Sequence, residues 1–329
     1  MNKDIQDTPL FKQAYDLYRT IRNVGSGLVA EAVDVNGAPN GKSVVFTGTI
    51  VDSLEAPQTT RICVTDIETG ATQVLTSGPN NDRLPKYSQD GTTVAFLSDR
   101  HKTGDFQLYF LDIESGAVTA APVVDGWVEY FYWSPSGHAI VLGVAGHGAD
   151  VSGGQGAVTS KKNGEGNASW MPTVETGDEG FRWRSAWVYE VETKKVWQVS
   201  PAGINTWEVN WCGDKQLLAV TSPAPGEGDW YTATLSLIDI ASGDVRTMYT
   251  PKDQLGWPSA SPSGKTIAIV EAVCSDRWVV AGDLLLIDVA SGELKKISTA
   301  NIDVTYTEWQ SDTELAIAGL RSLETVIAT

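Results

Sequence analysis

The stretch Leu237-Ile238-Asp239-Ile240-Ala241-Ser242-Gly243 is an extended apolar run that ends in an acidic residue and turns on glycine. Four further copies stand at 64–70 (VTDIETG), 110–116 (FLDIESG), 188–194 (VYEVETK) and 286–292 (LIDVASG). In the copy at 188–194 a lysine, Lys194, replaces the glycine. Asp66 and Asp112 are 46 residues apart, and Asp239 stands 49 residues from both Glu190 and Asp288. A phrase recurring at this spacing marks a repeat architecture.

A second phrase precedes each acidic turn: an aromatic or small residue, a tight polar turn, then an apolar run. Its copies are 87–96 (YSQDGTTVAF), 133–142 (WSPSGHAIVL), 211–220 (WCGDKQLLAV), 260–269 (ASPSGKTIAI) and 309–318 (WQSDTELAIA), with a degenerate copy at 37–46. Pro at the first corner and Gly after Asp or Ser are what a tight turn requires, and runs such as Val-Ala-Phe read as buried strands. Each unit is therefore predicted to hold four antiparallel strands, the last at 72–76, 118–122, 196–200, 245–249 and 293–298. Four strands in 40 to 50 residues is the pattern of a β-propeller blade.

The expected fold is thus all-β, a propeller over residues 25–329 of four-stranded antiparallel blades, five complete plus a partial sixth. The sixth unit supplies two strands within 309–319, and 322–329 open a third. An unpaired apolar strand edge is a hazard that closed folds avoid, so the chain is expected to be the front part of something longer or to be completed by another chain. The 78-residue interval from Asp112 to Glu190 breaks the rhythm. Its excess, at about 143–183 in the third blade, is rich in Gly, Ser and Asn and reads as a long insertion. Residues 1–24 differ in kind. Thr8 as N-cap, Pro9 at the first helical position, and Phe11, Ala14, Tyr15, Tyr18 and Ile21 at helical spacing predict an amphipathic helix. Its apolar face would pack on a propeller edge or reach another domain.

With 42% hydrophobic and 20% charged residues in 329, the chain has an ordinary globular composition. A formal net charge of -17 argues against a nucleic-acid partner, because phosphate binding rests on clustered Lys and Arg. No window approaches a membrane span and the N-terminus has no apolar signal core, so a cytoplasmic location away from membranes is expected. Cys63, Cys212 and Cys274 are odd in number and lie in or beside apolar runs, which reads as buried, reduced thiols rather than a metal site or disulfides.

No complete catalytic motif can be read in the sequence. Gly41-Lys42-Ser43 lacks the second glycine of a nucleophile elbow, and His101, His138 and His147 are the only candidate bases. Neither His147-Gly148-Ala149-Asp150 nor Gly153-Gly154-Gln155-Gly156 carries the context of a metal site or a phosphate loop. No catalytic residue, cofactor or metal is assigned. Of twelve tryptophans, Trp133, Trp211 and Trp309 share one repeat position and read as core between blades. Trp170, Trp183 and Trp230 fall in or near loops, where a ring could meet a ligand. Glu175, Asp178 and Glu179 cluster beside Trp183 and could attract a peptide's amine; a solvated acidic turn is the alternative. Arg100 and Arg277 end Ser-Asp-Arg phrases and are read as equivalent positions at the ends of second strands, on one face, where they could steer peptide carboxylates or pair locally.

Four stretches together resemble the N-terminal propeller of the prolyl oligopeptidase family of serine peptidases, in particular its acylaminoacyl-peptidase and dipeptidyl-peptidase-like bacterial members. They are 94–100 (VAFLSDR), 133–137 (WSPSG), 177–183 (GDEGFRW) and 270–282 (VEAVCSDRWVVAG). The resemblance covers roughly 10–329. It implies a partner, a C-terminal α/β-hydrolase domain bearing the Ser, Asp and His of catalysis, and a propeller that caps the active site and filters short peptide substrates. Residues 1–329 contain no match to those catalytic positions. The alternative is a stand-alone propeller of the TolB or WD-repeat kind that scaffolds a protein partner. Assembly as a homo-oligomer stays open.

Overall fold

The computed structural model describes residues 4–147, 149 and 183–329. Trp170, Glu175, Asp178 and Glu179, the 153–156 glycine cluster and most of the 143–183 insertion lie outside them. The chain divides into two compact units, Met1–Ala121 and Pro122–Thr329.

The first unit opens with α1 (Pro9–Ile21), whose Thr8 hydroxyl accepts from the Phe11 amide at 3.3 Å, as the N-cap reading requires. The helix buries none of its residues, and Leu10, Leu17, Tyr18 and Ile21 are exposed. It is tied to the rest of the unit by the Tyr15 hydroxyl, which donates to Glu55 Oε1 at 2.6 Å, and by its C-cap Arg22, which donates to Gln58 Oε1 at 3.0 Å. Two blades follow. The first is β1 (Val29–Gly37), β2 (Ser43–Ile50), β3 (Thr59–Asp66) and β4 (Thr72–Val74). The second is β5 (Asp82–Tyr87), β6 (Thr93–Ser98), β7 (Gln107–Asp112) and β8 (Val118–Ala120). Val45, Ile62, Val94, Phe96, Tyr109 and Leu111 form the apolar layer between them. Full burial of side chains of this size stabilises by roughly 1.5–3 kcal/mol each.

The second unit holds four blades. They comprise β9 (Trp127–Trp133), β10 (Ala139–Ala145), β11 (Arg184–Glu190) and β12 (Lys195–Gln198); then β13 (Asn205–Cys212), β14 (Gln216–Ser222), β15 (Thr234–Asp239) and β16 (Val245–Tyr249). Next come β17 (Gln254–Ala260), β18 (Thr266–Ala272), β19 (Asp283–Asp288) and β20 (Leu294–Lys296), and finally β21 (Asp303–Trp309), β22 (Leu315–Arg321) and β23 (Glu324–Ala328). The short helix α2 (Glu227–Trp230) joins β14 to β15. Here one expectation is corrected: Trp230 is not a loop ring open to ligand but is 2% exposed within the apolar core of this unit.

The fold is an all-β propeller with six blades among the described residues, their strand pairs antiparallel and each sheet built from strands consecutive in sequence. The sequence count of five complete blades and a partial sixth is corrected in this respect. Within 322–329, read as the opening of a third strand, Glu324–Ala328 form β23 in register with β22 from Ile317↔Ala328 to Arg321↔Glu324, so the sixth unit is a blade of three strands.

The two phrases act as turns for identifiable reasons. Asp239 Oδ1 accepts from the amides of Ala241 and Ser242 at 3.0 and 2.9 Å, and Gly243 then takes φ 75°. Asp66, Asp112 and Asp288 do the same with Thr69, Ser115 and Ser291. These bonds, led at Asp112 by the Ser115 hydroxyl and at the other three by the amides, hold all four carboxyls below the usual range. Lys194 adopts φ 55°, the left-handed turn that the other copies reserve for glycine. The polar turns also join neighbours: Asp214 accepts from the Ser136 amide and Asp312 from the Ser263 amide, at 3.0 and 2.8 Å.

Candidate functional site

The first strand of each blade in the second unit carries a bulge. Pairing slips at Glu129 on β9, at Trp207 on β13, across Trp257 and Pro258 on β17, and at Thr305 on β21. An extra residue there re-aims the side chains around it. Three positions before the first residue of each polar phrase, these strands bear Tyr130, Glu208, Trp257 and Tyr306. One repeat position thus supplies three aromatic rings and one carboxyl.

Hydrogen bonds lock this row together. The Val209 amide donates to the Tyr130 hydroxyl at 2.9 Å, and the Trp257 amide donates to Glu208 Oε2 at 3.0 Å. Trp257 holds φ 60°, which turns its amide out of the ladder, and its indole donates to Val280 O at 2.9 Å. Gly143, opposite Tyr130, leaves room for that ring, which a Cβ would strike.

Two arginines enter the row. Arg184, at the start of β11, donates Nε and Nη2 to the two oxygens of Glu129, and its amide donates to Asn205 Oδ1 at 2.6 Å. Arg277, in the connection from β18 to β19, donates Nη1 to Trp207 O at 3.2 Å. Both guanidinium carbons lie over the Trp207 ring, 5.5 and 5.1 Å from its centre. Trp278 follows with edge contacts to Tyr130 and Trp257, ring centres 5.1 and 5.9 Å apart.

Burial sets the electrostatics. Glu208 is 2% exposed, and loss of water pushes its carboxyl up to about 7 against the opposing pull of the Trp257 amide and the Arg277 charge. Its Oε1 has no hydrogen-bond partner among the described residues, and neither does the buried Trp278 Nε1. Desolvation, and then repulsion from Arg184, lower Arg277. Tyr130 is raised well above its ordinary value by burial and by Glu129. The cluster contains a titratable carboxyl, cations and rings, but no nucleophile paired with a base. Among the described residues no group of three or more His, Cys, Asp or Glu side chains is gathered where a metal ion would sit.

The residues named from the sequence fall in separate places. Arg100 Nη2 lies 2.8 Å from Asp82 Oδ1 and its Nε donates to Ser98 Oγ, with the guanidinium over Phe96 and Tyr109. Arg277 is 8% exposed and belongs to the cluster above. The two arginines do not share a repeat position: Arg100 stands two residues beyond β6 and Arg277 five beyond β18. Trp183 is half-buried and immediately precedes Arg184. Cys63 and Cys212 are buried with thiols pushed up to about 11 by desolvation, and all three cysteines are free. Sequence reading missed Glu129, Tyr130, Arg184, Glu208, Trp257 and Trp278. The available signal was the common offset of three residues before each polar phrase.

No family model matches the chain. It is 30% identical over 118 residues to an uncharacterized peptidase, YuxL, of Bacillus subtilis, a match that takes in 36% of this chain and 18% of that protein. Among solved structures it is similar to the acylaminoacyl peptidase of Pyrococcus horikoshii, at TM-score 0.62 and 13% identity, covering 94% of this chain and 45% of that one. The propeller domain of the Trilobed protease from Pyrococcus furiosus, described as an open velcro topology, aligns at TM-score 0.58 and 12% identity, over 91% and 82% of the two chains. TolB from Acinetobacter baumannii aligns at TM-score 0.50 and 17% identity, over 82% and 55%. The likeness to peptidase propellers read from the sequence phrases is thus found in sequence and in fold, and the chain spans less than half the length of the acylaminoacyl peptidase it matches.

Proposed function

We propose that this chain is the non-catalytic propeller portion of a serine peptidase of the prolyl oligopeptidase kind, capping the active site of an α/β-hydrolase domain and admitting short peptides. The observation that carries this reading is the 30% identity over 118 residues to a bacterial peptidase, in a chain whose fold is that of peptidase propellers. The physical principle is size exclusion: a capped active site passes a flexible peptide and rejects a folded domain. Trp183, with Glu175, Asp178 and Glu179 before it in sequence, is assigned to peptide contact. Arg100 and Arg277 have local partners and are given structural parts.

The test uses the natural gene product. Labelling with a fluorophosphonate should mark a serine outside residues 1–329, and short peptides should be cleaved while a folded protein of the same composition survives. Absence of a labelled serine, or equal cleavage of peptides and folded protein, overturns the reading. The likeness to TolB favours a second reading, a scaffold that binds a protein partner, which expects no labelled serine.

A further inference from the structure

The connection 273–282 between β18 and β19 crosses three blades. Trp278 meets Tyr130 of the third blade and Trp257 of the fifth, the two residues that occupy the same repeat position as Glu208 on either side of it. Arg277 bonds Trp207 O, the carbonyl of the peptide bond whose nitrogen belongs to Glu208. Trp278 and Arg277 therefore bridge over the one carboxyl in the row. The far end of the connection is anchored, since Val280 is fully buried and Gly282 exchanges two backbone hydrogen bonds with Val304. Among the described residues, the hydrogen bonds that tie the near part, 273–279, to its surroundings are Tyr231 hydroxyl to Ser275 O, Cys274 amide to Gln254 Oε1, and Arg277 to Trp207 O, while Cys274 Sγ to the Asp276 and Val279 carbonyls and Ser275 to Asp276 bond it within itself. Val273 and Val279 are exposed on it.

We propose that residues 273–279 are a proton-gated cover, seated while Glu208 keeps its proton and released when the carboxyl ionises. A buried carboxylate oxygen without a donor is among the costliest groups a fold can hold, whereas the neutral acid at the same place needs far less. The surroundings of Glu208 relieve it only in part: the Trp257 amide donates to Oε2 and the Arg277 charge attracts the carboxylate, but burial outweighs both and Oε1 has no donor among the described residues. Of the charged and titratable groups around it, Glu129, Tyr130 and Tyr132 come from β9; Arg184 from β11; Tyr306 and Glu308 from β21; and Arg277 from the connection. Glu129 takes Arg184 in a two-bond pair, and Arg277 is engaged at Trp207 O. β10, β14 and β17 contribute no ionisable side chain. Ionisation is therefore met by admitting water, and the path is under Trp278, whose own buried Nε1 is also without a partner among the described residues.

Hydrogen–deuterium exchange of the whole protein at about pH 6 and about pH 8, corrected for intrinsic rates, tests the proposal. Protection of peptides covering 273–279 should fall by about tenfold at the higher pH, the change that one unit of ionisation transmits, while the core strand β14 stays protected. Glu208→Gln should hold the cover seated at both values. Equal protection of 273–279 at both pH values in the wild type overturns the proposal, a result that stands whether or not the variant folds. An equal loss of protection in a folded Glu208→Gln protein also overturns it.

Discussion

Arg184 and Glu129 form a two-bond ion pair, Nε to Oε2 at 3.0 Å and Nη2 to Oε1 at 3.2 Å, with their side chains 3% and 1% exposed. The pair joins the first and third strands of one blade, and the Arg184 amide extends it to Asn205 of the next.

Removing one member strands the other charge away from water. Arg184→Ala is expected to destabilise by about 3–5 kcal/mol, and Arg184→Lys to recover only part of that because an ammonium cannot make the fork. Urea denaturation midpoints at constant m-value measure both.

Glu208 makes stability depend on pH in a definite direction. Burial raises its carboxyl from 4.5 to about 7, so between those values the folded state holds a proton that the unfolded chain has released. Stability then falls as pH rises through that window and levels off above it, by a total on the order of 3 kcal/mol. Asp66, Asp112, Asp239 and Asp288 are shifted down and act in the opposite sense at more acid pH. Unfolding free energies measured at about pH 5 and about pH 8 should differ in the wild type and be nearly equal in Glu208→Gln.

Gly143→Ala places a methyl group in the Tyr130 ring. Tyr130 accepts from Val209 and packs on Trp278, so it has little freedom to yield. Overpacking at such a site costs about 1–3 kcal/mol, read as a lowered thermal midpoint. A Gly70→Ala control meets nothing within 4 Å and is strained only by its φ of 71°.

Arg100→Met leaves Asp82, 1% exposed, without its guanidinium partner. A loss of about 1–3 kcal/mol is expected, with the peptide length preference of the full-length protein unchanged. Altered preference with unchanged stability would return Arg100 to the peptide-contacting set.

The repeat was legible because turns are local. Asp239, Ser242 and Gly243 form their hydrogen bonds within five residues, so much the same phrase recurs in five of the six blades. The helix start was legible for the same reason, since Thr8 caps a turn only three residues away. Trp230 was misplaced because a four-residue helix folds it back onto the core. The opening of a third strand at 322–329 was legible in the sixth unit, but its pairing with β22 over five residues, which makes the unit a blade, depends on register and was not.

Sequence alone therefore determined the blade, its strand order and its turns, all of which rest on bonds between near neighbours. Tertiary structure decided which residues share the bulged row. Glu208, Tyr130, Trp257 and Arg277 lie up to 147 positions apart, and only strand register and burial bring them together. The protonation of Glu208 follows from that packing, because the cost of a buried charge depends on what surrounds it and not on the residues beside it in the chain.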